Sequence, residues 1–201
     1  MDRRPFPLAA AVLIIGLPAA ALAQDPKNPD WPCPQVLVPT LSAASVWDGP
    51  PVEGLADDWQ RDPKIVALVR RAADDGVDPA SLEPDAQALA AAAGEGKDRA
   101  LTLVFAGTFQ TLDRQRSAAI ASIERYAQNQ RALRDRIAGQ LHQLDAAAGD
   151  AARAQEIKSE IAWDRRVLDD RRRAQGAVCD QPVRIERRLG DIARLLSGLL
   201  S

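Results

Sequence analysis

From residue 85 to residue 181 the chain contains no proline, whereas residues 24 to 84 contain ten. Proline removes a backbone donor and clashes with the preceding helical turn. The first stretch can therefore hold very long helices, and the second can hold only short ones. Periodicity fills in the long stretch. Leu101, Val104, Phe105, Thr108, Phe109 and Leu112 recur at helical spacing. Ala119, Ile120, Ile123, Ala127, Ile137, Leu141 and Leu144 continue the stripe. Beyond residue 120 the spacing approaches the alternating threes and fours of a coiled coil, with Gln130 and Arg134 falling on the seam.

Ala146-Ala147-Ala148-Gly149-Asp150 breaks this helix, and Asp150 is placed to cap a returning one. The return carries Ala154, Ile157, Ile161, Leu168 and Gln175 on one side. A short connection between two helices favours an antiparallel hairpin. A helix of about 45 residues is ~68 Å long, so part of the hairpin must project from a domain of this mass. Gly176 to Pro182 reads as the end of the returning helix. A separate C-terminal helix then shows Ile185, Leu189, Ile192, Leu196 and Leu199.

Upstream, Asp62-Pro63 starts a helix with Ile65, Leu68, Val69 and Ala72 on one face. Asp78-Pro79 or Glu83-Pro84 starts a second, which Gly94-Glu95-Gly96 ends. Residues 24–61 form an irregular arm holding Trp31, Trp47 and Trp59. These indoles read as anchors onto the helices, because buried aromatics dominate core energetics. A partner-facing aromatic patch is the alternative. The expected fold is all-α: a long, coiled-coil-like antiparallel hairpin (about 98–176), short flanking helices, a C-terminal helix (about 183–200) and a Trp/Pro-rich arm, with residues 62–201 as the helical domain.

Residues 1–23 read as a cleavable secretory signal: Arg3 and Arg4, an apolar Leu8 to Leu17, then Ala21 and Ala23 before Gln24. Cleavage after Ala23 leaves 178 residues with a net charge of −3. This places the mature protein in the periplasm, where Cys33 and Cys179, the only cysteines, are expected to pair. Residues 24–109 carry a net charge of −7 and residues 110–201 a net of +4. The near-neutral total argues against a nucleic-acid partner.

The search for chemistry returns little. His142 is the single histidine and has no HExxH pattern around it. GxSxG, GxGxxG and GxxxxGK[ST] are absent. Asp74-Asp75-Gly76-Val77-Asp78 lacks the ligand series of a calcium loop. No catalytic, cofactor or metal residue is assigned.

Asp30-Trp31-Pro32-Cys33, Val38-Pro39, Leu41-Ser42, Val46-Trp47, Gly49-Pro50 and Leu103-Val104-Phe105-Ala106-Gly107 together resemble small exported helical proteins of Gram-negative bacteria with no assigned activity. That resemblance implies no catalytic residues. The expected role is a non-enzymatic periplasmic interaction module: an adaptor, assembly factor or holding chaperone for another envelope protein. The alternative is a ligand-binding or sensory domain with its pocket between the arm tryptophans and Phe105 and Phe109. Homo-oligomers, and a weak membrane-surface contact through the basic C-terminal helix, also fit the composition.

Overall fold

The computed structural model describes residue 28, residues 30–55 and residues 57–201. The secretory-signal reading of residues 1–23 lies outside them. The described residues are mostly helical, with an irregular stretch before Pro63 and no strands. Four α-helices follow one another: α1 (Pro63–Ala73), α2 (Glu83–Ala93), α3 (Lys97–Ala146) and α4 (Ala151–Ser197). Short 3-10 turns cover Ala43–Ser45, Asp58–Arg61, Pro79–Leu82 and Gly94–Gly96.

Each helix start has a local cause. The Asp62 carboxylate accepts from the Lys64 N–H at 2.8 Å, with Pro63 at the first helical position. Asp78 does the same for Ala80 at 3.0 Å, opening the 3-10 turn that leads into α2. Asp150 accepts from the Arg153 N–H at 3.0 Å and starts α4. Gly94 has φ +56, a left-handed conformation that suits glycine, and lets the chain turn from α2 into α3.

Helices α3 and α4 form the antiparallel hairpin, and at 50 and 47 residues they reach roughly 75 and 70 Å. Its proximal half holds the main core. Leu101, Val104, Phe105 and Leu112 of α3 meet Leu189, Ile192 and Leu196 of α4 there. Residues of α1 and α2, from Ile65 to Ala90, cover them. Leu189, Ile192 and Leu196, on the apolar face of the stretch read above as a basic C-terminal helix, are thus buried in this core. Gly107 lets α1 and the Trp59 turn approach closely. A Cβ there would lie 2.7 Å from both Trp59 Cδ2 and Val69 Cγ2.

The break expected between residues 176 and 182 does not occur, and α4 runs on through a buried Pro182. The reason is visible in the seam. Leu168, Gln175, Pro182, Leu189 and Leu196 lie seven residues apart. A single helix therefore keeps one face toward α3 along its whole length. The separate C-terminal helix of the sequence reading is the last part of α4.

The α3 seam also differs by one residue from the expected stripe. It passes through Leu133 and Gln140, leaving Arg134 and Leu141 exposed. Positions 123, 126, 130, 133, 137, 140 and 144 keep strict three-four spacing, so the polar Gln140 takes the place beside apolar Leu141.

Candidate functional site

The arm lies along one side of the hairpin, and a few polar anchors fix it there. Cys33 and Cys179 are disulfide-bonded, with Cα atoms 5.5 Å apart. Around the bridge, Gln35 Nε2 donates to the Cys179 carbonyl at 2.6 Å, and Gln175 Nε2 donates to the Pro32 carbonyl at 2.8 Å. Pro182 supplies no N–H to the carbonyl of residue 178, which opens the helical ladder on this stretch. The arm's glutamine binds the next carbonyl along. Trp31 packs with Ile120 and Ile123 and donates its indole N–H to the Gln35 carbonyl at 2.6 Å.

One buried cation joins three segments. Arg116 is 2% exposed. Its Nε meets Glu186 Oε1 at 2.5 Å, and its Nη2 donates to the Val38 carbonyl at 2.6 Å. Nothing in the apolar periodicity marks this residue. Its signal is a charge on the inner side of α3, four residues after Leu112 and three before Ala119. Arg188 performs a similar task on α1, donating to the carbonyls of Arg71, Ala72 and Val77 at 3.1, 2.6 and 2.7 Å. It supplies positive charge at the C-terminus of α1, where the helix dipole favours it. Burial lowers its pKa from the usual guanidinium value, and nearby aspartates oppose that shift.

Four of the five aromatic candidates, Trp47, Trp59, Phe105 and Phe109, share the main core, and Trp31 does not. Trp47 stacks on Phe105 with ring centres 4.2 Å apart, and Phe109 lies 6.1 Å from Phe105. Trp59 donates to Gln110 Oε1 at 3.1 Å. Trp31 sits apart in the arm cluster. Trp31, Trp47, Trp59 and Phe105 are buried and Phe109 is partly buried. The space between Trp47 and Phe105, expected as a pocket, is filled by their stacked rings. His142 lies exposed near the end of α3.

Beyond the arm, the hairpin changes character. Its small core is Leu133, Ile137, Ile157, Ile161 and Leu168. Polar groups interrupt that seam. Asp164 is buried and accepts from Arg136 and, at 3.1 Å, from Gln140. The Oε1 atoms of Gln130 and Gln140 are buried without a hydrogen-bond partner. Tyr126 donates its hydroxyl to the Arg171 carbonyl, and burial raises its pKa. Trp163 stands on the outside, 62% exposed, with the Arg166 guanidinium over its ring at 5.8 Å. Sequence reasoning passed over this fourth tryptophan. Its signal was position: it lies outside the arm, between seam residues Ile161 and Asp164.

Grooves flank the hairpin. One of about 760 Å³ lies between the end of α1 and the proximal hairpin, where Asp74, Asp75, Arg184 and Arg188 surround a floor including Ala118 and Ala119. Among the described residues, no three His, Cys, Asp or Glu side chains gather as a metal site. No helix among them is long and apolar enough to cross a membrane. No protein-family model, curated protein or solved structure matches the chain.

Proposed function

We propose that the mature chain is a non-enzymatic interaction module of the periplasm, and that the distal hairpin is the part that docks a partner protein. The observation that carries this reading is Trp163. Three of the four indoles are buried, while this one stands in solvent on a stretch where, among the described residues, the core is built from α3, α4 and the turn between them. Tryptophan and arginine are among the residue types enriched at the hot spots of protein interfaces. The polar seam suits such a role. Gln140 and Asp164 fix the pairing of the two helices by hydrogen bonds, leaving the outer faces for recognition.

The test is capture from native envelope extract on the immobilised mature protein, followed by a binding constant with the captured protein. Trp163→Ala is expected to weaken binding roughly 30-fold, the equivalent of ~2 kcal/mol for an interfacial tryptophan. The thermal midpoint should not move, because the side chain is exposed. Light scattering on the same sample reports self-association. A strict monomer that captures nothing, or a Trp163→Ala variant that binds as wild type, would overturn the reading.

A further inference from the structure

Residues 30–39 show how this hairpin holds a peptide, and the same side of the hairpin continues beyond the contacts of those residues. On α4, Cys179 and Glu186 mark the arm-bearing side; Arg172 and Arg165 precede them at seven-residue steps. On α3, Ile120, which packs on Trp31, is followed fourteen residues later by Arg134. Residues seven apart on paired helices face the same way. Arg134, Arg165 and Arg172 therefore extend the surface on which residues 30–39 already lie.

These arginines line one groove of about 280 Å³ with Ile137, Leu168 and Asp169. Its composition parallels the occupied part: seam aliphatics for a floor, cations at the rim. In the occupied part, Arg131 pairs with the arm's Asp30 while Trp31 fills the apolar floor. In the distal part, Asp169 is the sole acid of the lining and pairs with Arg172 at 3.8 Å. Neither Arg134 nor Arg165 has an acidic partner among the described residues. Like charge rules out two copies pairing this side face to face, since cations would oppose cations.

We infer that the Arg134–Arg165–Arg172 groove binds a non-helical acidic peptide segment of a partner protein, with one large apolar side chain seated over Ile137 and Leu168, as a continuation of the arm's own mode of binding. This rests on the reading of the distal hairpin as a docking element and adds the chemistry of what it docks. The apolar anchor gives the site a floor that a point charge alone would not use. A non-helical chain is favoured over a helix because the arm, on the same side, is non-helical, with a turn and bends over residues 30–35 and irregular backbone over 36–39, and is pinned through carbonyls and a carboxylate.

The probe is a fluorescein-labelled 12-residue peptide of aspartate and proline with one central leucine, beside a counterpart with asparagine for aspartate. Fluorescence anisotropy on the mature protein should show the aspartate peptide binding at least tenfold tighter than the asparagine one, and weakening as salt screens the arginines. Arg134→Glu with Arg165→Glu should reduce binding at least tenfold, and Arg134→Gln with Arg165→Gln should give an intermediate loss. Arg114→Glu, a charge reversal elsewhere on α3, should leave it unchanged. Equal binding of the two peptides, no binding, or wild-type binding by the double reversal would overturn the inference. Sedimentation with anionic phospholipid vesicles is run in parallel. Vesicle binding that depends on Arg134 and Arg165, without peptide binding, would assign the cations to a lipid surface and also overturn it. Capture that needs Trp163 but survives the double reversal would leave the docking function standing and remove only this account of the groove.

Discussion

Replacing Arg116 by methionine should loosen the arm and lower stability in a way that no surface arginine does. The guanidinium is 2% exposed and holds Glu186 at 2.5 Å and the Val38 carbonyl at 2.6 Å, while its contact with the Pro39 carbonyl, at 3.4 Å, is long. Methionine keeps most of the volume and removes every donor. Losing the donor to the Val38 carbonyl costs about 1–3 kcal/mol. The Glu186 side chain is 40% exposed, so water can take over its solvation. That side of the loss is held to about 1 kcal/mol, the scale of exposed pairs. The sum is roughly 2–4 kcal/mol, or a fall of about 4–16 °C in thermal midpoint for a chain of this size. The arm stays tethered through Cys33, so the released segment should appear as faster proteolysis or amide exchange around residues 34–41 with the disulfide intact. Urea unfolding followed by circular dichroism measures the loss. Arg116→Lys should fall between wild type and methionine, because one ammonium cannot reproduce the fork. A loss below 0.5 kcal/mol, on the order of an ordinary surface substitution, would refute the reasoning.

Three further outcomes follow from particular contacts. The Cys33–Cys179 bridge closes a 146-residue separation. Replacing both cysteines by alanine, or reducing wild type, should lower unfolding free energy by up to ~5 kcal/mol on the chain-entropy model, read as equal shifts in urea midpoint. Gly107→Ala should destabilise by about 1–3 kcal/mol, because its Cβ would meet Trp59 and Val69. Gly139→Ala, where a Cβ meets nothing within 4 Å, should instead stabilise by about 0.5–1 kcal/mol; the two are compared by thermal melting. Hydrogen bonds from Arg131 and Gln128 lower the pKa of Asp30 from the ordinary carboxylate value. A carboxylate depressed by folding contributes stability that is present above its unfolded pKa and lost as pH falls through the folded one. Acid titration below pH ~4 should therefore loosen the arm's end, and Asp30→Asn should remove that part of the pH dependence in NMR or proteolysis.

Much of this architecture could be read directly because its signals are local. Proline placement, the Asp62-Pro63 and Asp78-Pro79 starts, the Asp150 cap and the three-four spacing each act within a turn or two of chain. The continuity of α4 was also present, in the seven-residue register of Leu168, Gln175, Pro182, Leu189 and Leu196. Proline in a helix interior costs about 3 kcal/mol, which made a break the natural reading. Burial of one unbroken seam against α3 outweighs that cost, and such burial exists only once both helices are in place.

The surface was less legible for a related reason. Leu141 and Gln140 are adjacent, and hydrophobicity alone selects the leucine. The structure selects the glutamine, because Asp164 across the seam accepts its hydrogen bond. Arg116 reads like any helical arginine until the arm's carbonyls arrive beside it. Trp163 reads like the other tryptophans until Trp31 is seen packed on Ile120 and Ile123 while Trp163 stays 62% exposed.

The sequence by itself determined the starts of α1, α3 and α4, the point where the chain turns back and, for an oxidising compartment, the pairing of its only two cysteines, since each follows from local backbone chemistry or from the cysteine count. Only tertiary structure decided that the arm lies along one side of the hairpin, that one buried arginine ties it down, and that Trp163 and the Arg134–Arg165–Arg172 groove stay open to solvent. Exposure belongs to what the rest of the chain fails to cover, and no local pattern carries that information.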